Sequence, residues 1–148
     1  MRLQEPVSEE DFEKYYQLRW EVLRKPWNQA RGTEKDEHET TSIHVMAIDD
    51  AGECVGVSRL QFNSPAEAQV RFMGVRDDQQ GKGVGKKLMH YLEKKAKEKG
   101  AKKVMLQARE NAVKFYLSIG YVEMEKSFLL WDLIQHYRME KDLVIKKM

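Results

Sequence analysis

Hydrophobic positions along the chain follow two spacings, one typical of amphipathic helices and one typical of strands. The helical spacing is clearest before Pro26, where large side chains recur every three or four positions: Phe12, Tyr15, Tyr16, Arg19, Trp20 and Leu23. Ser8 precedes them, and three acidic residues follow it directly. Serine is a favoured helix N-cap, and acidic side chains stabilise the positive first turn of a helix. The pattern predicts a helix that begins after Ser8 and ends at Pro26.

Short apolar runs in the first half predict strands at residues 2–5, 43–48, 54–62 and 68–75. Turn residues occupy the short gaps between the last three runs, and connections of this length join antiparallel neighbours. These three runs therefore predict an antiparallel meander. Gly74, near the end of the third, is expected to allow a bulge. Residues 27–41 have no period, and we expect a loop or a frayed helix near a site.

The remaining predicted elements are a helix after the glycine-rich segment 80–85, a strand at 103–108, a short helix at 111–119 and an antiparallel pair at 121–130 and 134–142. The order strand, glycine loop, helix, strand requires a crossover connection and therefore a parallel strand pair. The elements together predict a single domain over residues 1–148 of the α/β (α+β) class. We expect a mixed central sheet of about six to seven strands with helices on both faces.

Composition narrows the class of protein. The chain has 148 residues, 41% hydrophobic and 34% charged, which is typical of one globular domain. Cys54 is the only cysteine, and no apolar run approaches the length of about 18 residues that marks a membrane span. The N-terminal residues lack a signal-peptide pattern, so we expect a cytoplasmic protein without a membrane partner. Four scattered histidines with one cysteine offer no metal-ligand spacing.

The charge is divided unevenly. Residues 1–80 hold 10 basic and 16 acidic side chains, whereas residues 81–148 hold 16 basic and 8 acidic ones. The second half therefore favours an anionic ligand. Its glycine-rich segment carries alternate glycines and three lysines at the start of a helix, which favours phosphate. The segment matches neither the P-loop pattern nor the Rossmann fingerprint.

Two segments resemble those of a known family. Residues 80–85, Gln80-Gly81-Lys82-Gly83-Val84-Gly85, resemble the Q/R-x-x-G-x-G/A acetyl-CoA loop of the GNAT (general N-acetyltransferase) superfamily. Residues 108–121 resemble that family's A-R-x-x-A-x-x-F-Y-x-x-x-G-F/Y signature, at the expected distance downstream. A weaker likeness to the ElaA-like branch comes from Leu18-Arg19, the acidic loop, His44 and residues 135–139.

The resemblance implies an N-acetyltransferase that moves the acetyl group of acetyl-CoA, its co-substrate, to a primary amine by direct attack in a ternary complex. The amine would belong to a small molecule or a peptide. The resemblance also implies which residues bind acetyl-CoA: Met73, Gly74, Val75, Gln80, Gly81, Lys82, Gly83, Val84, Gly85, Lys86, Asn111, Phe115 and Tyr116. Tyr116 occupies the position of the general acid. Asn111 has a second interpretation as a helix cap, and Phe115 and Tyr116 have one as aromatic residues of the core. Cys54 is expected to be a small core residue.

The general base has several candidates, because Gln69 stands where many members of the family have a glutamate. Glu67 lies two residues earlier on the same strand face and is one candidate. His136 and His44 are further candidates, because a histidine side chain titrates near neutrality. Each of them has an alternative interpretation as a structural residue. A water chain to the acidic loop is a further option. The acidic cluster there (Glu34, Asp36, Glu37 and Glu39) either recognises a cationic amine or is a solvated charge run, which we favour.

Two other classes of function are considered. Gln69 in place of a carboxylate fits a catalytically silent acyl-CoA-binding or regulatory module. The lysines between Lys82 and Lys103 fit a nucleic-acid binder, but no aromatic side chains alternate with them as a stacking platform, so we expect no nucleic-acid partner.

Apolar residues near the end could form a homodimer interface: Phe128, Leu129, Leu130, Trp131 and Tyr137.

Overall fold

A computed structural model describes residues 1–131 and 133–143. Its strands are β1 (Arg2–Gln4), β2 (Ile43–Ile48), β3 (Cys54–Phe62), β4 (Glu67–Val75), β5 (Lys103–Arg109), β6 (Val122–Leu130) and β7 (Ile134–Asp142). Its α-helices are α1 (Glu9–Leu23), α2 (Val84–Glu98) and α3 (Val113–Ser118). The strands form a seven-stranded mixed sheet in the order β1-β2-β3-β4-β5-β7-β6. The predicted fold class is confirmed.

Helix α1 begins as predicted. The Ser8 hydroxyl accepts a hydrogen bond from the Asp11 backbone N–H at 3.0 Å, and the Asp11 carboxylate accepts one from the Ser8 N–H at 3.3 Å. The helix ends at Leu23, three residues before Pro26, which lies in a short 3-10 turn at Lys25–Trp27. Proline disfavours the helical conformation of the residue before it, so the end falls earlier than the proline itself.

The described residues form two compact units. The first contains Met1–Gln61 and Phe72–Leu92, and the second contains Phe62–Arg71 and the described residues from Glu93 onward. The division falls within β4 and α2, so neither unit is a continuous stretch of chain. The prediction of a single domain over 1–148 stays a prediction.

In the first unit, helices cover both faces of β3. Tyr15 and Leu18 of α1 join Met46, Ile48 and Val57 in one buried cluster. On the opposite face, a Cβ added at Gly56 would lie 2.8 Å from Val84 and 2.9 Å from Leu88 of α2. Successive strand residues point to opposite faces, and a glycine at this position lets α2 approach the sheet closely.

In the second unit, β4 and β5 pair in parallel from Glu67↔Lys103 to Val70↔Leu106, which confirms the predicted parallel pair. Strand β7 lies between β5 and β6 and is antiparallel to both. The sequence predicts the β6/β7 pair but not this insertion. No helix within the described residues is long and apolar enough to span a bilayer.

Candidate functional site

The glycine segment forms an open turn at the start of α2. Gly81 and Gly83 have φ values of +78° and +83°, which residues with a Cβ adopt only at a cost. A Cβ added at either would meet no described heavy atom within 4 Å. The glycines are therefore needed for backbone conformation, and their open side is accessible to a ligand. Val84 and Gly85, expected in the loop, belong to the first turn of α2.

The electrostatics of this turn favour an anion. Lys82, Lys86 and Lys87 are exposed there, and the first turn of α2 contains no acidic residue. The N-terminus of a helix of this length carries partial positive charge and unpaired N–H groups. These features together make a site that can hold a phosphate.

Arg76 connects the loop between β4 and α2 to the β2–β3 turn. Its side chain pairs with Glu53 at 2.8 Å and Asp78 at 2.6 Å, while its backbone N–H donates to the Val55 carbonyl at 2.9 Å. Gln80 closes the turn by donating from Nε2 to the Val75 carbonyl at 3.2 Å. The segment that precedes the glycines is therefore held at Arg76 and at Gln80, and Gly81 and Gly83 follow it directly.

The end of β4 differs from the sequence prediction. Gly74 does not have a positive φ; the left-handed residue is Phe72, at φ +57°. Gly74 has a packing role instead, because a Cβ there would lie 3.3 Å from Val22 of α1. The left-handed backbone lies two residues before Gly74, at a residue that tolerates this conformation poorly, and the bulge at Gly74 stays a prediction.

Tyr116 lies on α3 in the second unit and is 6% exposed. Burial raises the pKa of its phenol, and the nearby Arg109 guanidinium opposes that shift in pKa. Its ring contacts Phe115 and Tyr121 edge-on, at centroid distances of 5.0 and 5.8 Å. No hydrogen bond from another described residue engages the hydroxyl. Tyr116 therefore combines a packed ring with an available hydroxyl.

Asn111 is exposed in the 3-10 turn Glu110–Ala112. The helical segments here have Arg109 and Ala112 at their N-caps and no side-chain cap. The alternative interpretation of Asn111 as a helix cap is therefore wrong. Phe115 is half-buried.

Glu67 and Gln69 lie on the same strand face, as predicted. The evidence is that Asn63 Nδ2 donates a hydrogen bond to each of their side chains at 3.0 Å. The Glu67 carboxylate also pairs with Arg138 at 3.3 Å and Lys103 at 3.5 Å. Three donors thus hold Glu67 in place.

His136, on β7, is 6% exposed and stacks on Phe128 at a centroid distance of 4.2 Å. Its Nδ1 lies 3.0 Å from the Ile134 carbonyl, which can only accept, so Nδ1 carries the proton. In the neutral ring Nε2 therefore carries the lone pair. Across the β5/β7 ladder His136 pairs with Arg109, the residue that also neighbours Tyr116.

His44 is engaged at both ring nitrogens. Nδ1 lies 2.8 Å from the Tyr15 hydroxyl, and Nε2 lies 2.7 Å from the Glu39 carbonyl. Burial lowers the pKa of His44. These contacts favour its structural interpretation. Cys54 is half-buried beside the α1 core cluster, and burial raises the pKa of its thiol to about 12.

The preferred interpretation of the acidic loop is wrong for three of its four residues. Asp36 and Glu39 form ion pairs with Arg59 at 2.5 and 2.7 Å, and Glu34 is 1% exposed. Only Glu37 is a solvated side chain, at 81% exposure. The signal for these pairs was Arg19 on the apolar face of α1 and Arg59 within an apolar strand, because buried arginines require anionic partners.

Comparisons with known proteins agree with this geometry. Residues 12–121, which include parts of both units, match the family described as Acetyltransferase (GNAT) family. The chain is 34% identical over 136 residues to the Bacillus subtilis (strain 168) protein named Uncharacterized N-acetyltransferase YjcF, covering 91% of this chain and 95% of that one.

Solved structures share the fold. An aminoglycoside 6'-N-acetyltransferase complexed with coenzyme A has a TM-score of 0.82 at 17% identity, covering 100% of both chains. Escherichia coli ElaA has a TM-score of 0.80 at 19% identity, covering 95% of this chain and 98% of that one. The likeness to ElaA extends to the fold, and the ElaA-like branch stays a prediction.

Proposed function

This chain belongs to the acetyltransferase (GNAT) family, and on that premise we propose how its residues bind acetyl-CoA and move the acetyl group to an amine. N-acetyltransferase activity with acetyl-CoA as co-substrate follows from membership. The residues, the acceptor and the assembly are proposals. The observation that carries the proposed acetyl-CoA site is the open glycine turn with three exposed lysines at the N-terminus of α2.

The residues fit the cofactor. Gly81 and Gly83 leave space where a Cβ would stand, and the backbone N–H groups at residues 80–86 suit a pyrophosphate. We assign this role to Gln80, Gly81, Lys82, Gly83, Val84, Gly85 and Lys86. The main chain of Met73, Gly74 and Val75 would bind the pantetheine arm, with Asn111 and Phe115 as further contacts.

Acetyl-CoA supplies an activated thioester, which an amine can attack directly. Tyr116 would donate its phenolic proton to the departing thiolate. Its raised pKa keeps the phenol protonated at neutral pH, and no described residue forms a hydrogen bond with its hydroxyl. The Cys54 thiol is not needed as a nucleophile, since its raised pKa keeps it protonated.

We propose His136 as the general base, with Glu67 as the alternative. His136 has a tautomer fixed by the contact of its Nδ1 with the Ile134 carbonyl, and it pairs with Arg109 across the β5/β7 ladder. Glu67 is already held by three donors, which favours an orienting role. The pH dependence of kcat/KM in His136→Asn and Glu67→Gln distinguishes them. The base is the residue whose loss removes the acidic limb of the profile.

The first experiment is thermal unfolding with acetyl-CoA, dephospho-CoA and ATP. A ligand at a hundred times its Kd stabilises the folded state by about 2.7 kcal/mol. We expect acetyl-CoA to raise Tm in the wild type and in Gly100→Glu, and not in Gly83→Glu. Gly100 is the matched control, because it also has a positive φ, +90°, and an open side. No shift in the folded wild type would overturn the proposed site.

A catalytically silent module would also bind acetyl-CoA, so turnover separates the two functions. Release of free CoA thiol is measured with a panel of primary amines, including small polyamines, aminoglycosides and peptides. We propose a small molecule or peptide amine as acceptor. The acidic loop is not assigned to amine recognition, because Asp36 and Glu39 already pair with arginines. Binding without turnover across the panel would favour the silent module.

We propose that the acetyltransferase is a homodimer that pairs through the β6 region. Large apolar side chains are exposed there: Val122, Met124, Phe128, Leu129 and Leu133. A two-fold axis places the same apolar patch on both copies. We expect the wild type to sediment as a dimer and Leu129→Lys as a monomer. A monomeric wild type at micromolar concentration would contradict the proposal.

We further propose that residues 1–148 act as one domain and that the protein is cytoplasmic. The family match includes residues of both units, which supports one working domain. Cys54 is a free cysteine, as is typical of a reducing compartment. Cooperative unfolding in a single transition, and recovery in the cytoplasmic fraction, are the expected results.

A further inference from the structure

One face of the sheet in the second unit is lined by paired charged side chains. Lys103 of β5 lies 3.5 Å from the Glu67 carboxylate of β4 and 3.4 Å from the Glu140 carboxylate of β7. Arg138 of β7 pairs with the same two carboxylates, at 3.3 and 2.7 Å. We call the side of the sheet that carries these four residues the charged face. The four charges on it satisfy one another.

Gln107 also lies on the charged face, because it follows Lys103 by four positions on the same strand and alternate strand residues share a face. Its Oε1 atom is buried, and within the part of the chain that the structure describes no group donates a hydrogen bond to it. Its cross-strand neighbour Arg138 is directed to Glu67 and Glu140 instead. A buried acceptor without a donor is costly, and such groups are uncommon in folded proteins.

A second glutamine on the same face has the opposite arrangement. Gln69 of β4 follows Glu67 by two positions, and its Oε1 accepts a hydrogen bond from Asn63 Nδ2 at 3.0 Å. The side chain of Gln69 is therefore part of the internal hydrogen bonding of the unit, whereas the carbonyl oxygen of Gln107 is not. This contrast indicates that Gln107 Oε1 serves a donor from outside the chain.

Gln107 lies close to the proposed general base. In the β5/β7 ladder, Gln107 pairs with Arg138 and Arg109 pairs with His136, with no shift of register between them. Gln107 and His136 are therefore diagonal neighbours on the charged face, a relation in which the Cα atoms lie about 7–8 Å apart. Side chains of this length, so placed, can both reach a single nitrogen atom of a ligand.

We propose that Gln107 binds the acceptor: its Oε1 accepts a hydrogen bond from the amine nitrogen that attacks acetyl-CoA, beside His136. A carbonyl oxygen can only accept, so the ligand atom must carry a proton. A hydrogen bond from one N–H fixes the direction of the nitrogen lone pair, and it strengthens as the nitrogen becomes positive during attack. The inference rests on the proposed function, and it names a residue that selects primary amines.

The selectivity follows from the count of protons. A primary ammonium has three protons on nitrogen, and His136 takes one of them before attack. The nitrogen lone pair then forms the bond to the thioester carbon, and the electron pair of the carbon–sulfur bond leaves with sulfur, which takes the proton of Tyr116. The second nitrogen proton restores the Tyr116 phenol. The third stays in the amide product and is the one that Gln107 binds.

A secondary ammonium has only two protons on nitrogen, and both must leave to give the amide. The hydrogen bond to Gln107 is then lost before the product forms. Gln107 therefore stabilises the reaction of a primary amine to its end and that of a secondary amine only in part.

The decisive measurement is kcat/KM for two acceptors in the wild type, Gln107→Leu and Gln107→Glu. The acceptors are the amine of the panel with the fastest turnover and its derivative with one methyl group on the acetylated nitrogen. Leucine removes the carbonyl oxygen, whereas glutamate keeps an oxygen acceptor at the same position. We expect Gln107→Leu to lose about tenfold on the primary amine and less than about twofold on its methyl derivative. Gln107→Glu should keep the wild-type ratio within about twofold.

Gln69→Leu is the matched control, because it removes a glutamine oxygen from the same face that already has a donor within the chain. It should keep the wild-type ratio of the two acceptors. Gln107→Leu should not lower Tm, because no hydrogen bond within the described chain is lost. If Gln107→Leu does not fold, Gln107→Met makes the same test with an unbranched side chain. A lower Tm with an unaltered ratio would show a structural glutamine and overturn the inference.

Cofactor binding separates this inference from the proposed function. Gln107→Leu should bind acetyl-CoA within about twofold of the wild type by calorimetry, because Gln107 is assigned to the acceptor alone. A wild type that binds no acetyl-CoA, or that turns over no amine, would overturn the proposed function and this inference with it. A wild type that is active, with equal losses on both acceptors or no loss on either in Gln107→Leu, would overturn this inference alone.

Discussion

At the scale of single residues, the hydrogen bonds of buried polar side chains distinguish structural residues from candidate catalytic ones. Tyr116 and Tyr121 are both buried in the second unit, yet their hydroxyls differ. Tyr121 donates to the Glu93 carboxylate at 2.9 Å, whereas no described residue engages the Tyr116 hydroxyl. The first arrangement is typical of a structural tyrosine, and the second leaves the hydroxyl available for chemistry.

Tyr116→Phe should therefore lower kcat with acetyl-CoA by about 100-fold and change its KM little, because general acid catalysis contributes only in the transition state. Burial raises the pKa of Tyr116, so wild-type activity should show no loss from phenol ionisation below about pH 10. Steady-state kinetics against pH measure both. Tyr121→Phe is the control, with a lower Tm and an unchanged kcat. Equal kcat in Tyr116→Phe and wild type would exclude the acid role.

His44 gives a pH dependence of stability. Burial lowers its pKa in the folded state, so the unfolded chain binds a proton at a higher pH. Its contribution is present above the unfolded pKa of about 6.5 and is lost as the pH falls through the lower folded pKa. Wild-type Tm should therefore fall as the pH drops below about 6.5, and His44→Gln should have a flatter profile. His90→Gln, at an exposed position on α2, should keep the wild-type slope. A wild-type slope in His44→Gln would contradict the assignment.

At the scale of elements, the loop between β4 and α2 contains a glycine whose conformational role can be measured apart from its role in ligand binding. Gly83 has a positive φ and open space on the side where a Cβ would stand. A substitution there strains the backbone but meets no described atom. Any effect on binding beyond that strain must come from a ligand that approaches the same side.

Gly83→Ala should raise the KM for acetyl-CoA about tenfold and lower the free energy of unfolding by only about 1 kcal/mol, the cost of a Cβ at a positive φ. Gly100→Ala has the same backbone cost at the end of α2, with φ +90° and no neighbour. It should lose the same stability and keep the wild-type KM. Kinetics and denaturant unfolding of both variants test this. If both raise the KM alike, the effect is strain and not the loss of a phosphate cradle.

At the scale of the whole molecule, buried tyrosines limit alkaline stability. Burial raises the pKa values of Tyr15, Tyr116 and Tyr121, and it raises that of Tyr16 to about 12. Folding thus holds these phenols neutral, whereas the unfolded chain ionises near pH 10. Their contribution is complete below the unfolded pKa and is lost as the pH rises through the folded values.

We therefore expect Tm to fall steeply above about pH 10, with the tyrosinate absorbance of these four phenols appearing together with unfolding and not before it. Tyr121→Phe should reduce the slope, because one group that titrates on unfolding is removed. Absorbance of buried tyrosinates in a chain that is still folded would show that these phenols reach solvent in the native state.

Much of the local structure was predictable because its determinants are neighbours in sequence. The Ser8 cap needs only residues within one turn, and β2 and β3 begin and end at the predicted residues. The glycine loop and the Tyr116 segment are also short motifs, and the family they indicated is the one that the comparisons found.

Only the tertiary structure decided which distant residues meet. The insertion of β7 between β5 and β6, the pairing of Arg19 and Arg59 with a loop that looked solvated, and the left-handed backbone of Phe72 all depend on long-range contacts. Sequence by itself determined caps, turns, periodicity and motifs, since these depend on the local backbone. Burial of a charge or strain at one residue depends on packing from elements far along the chain, and no local pattern encodes it.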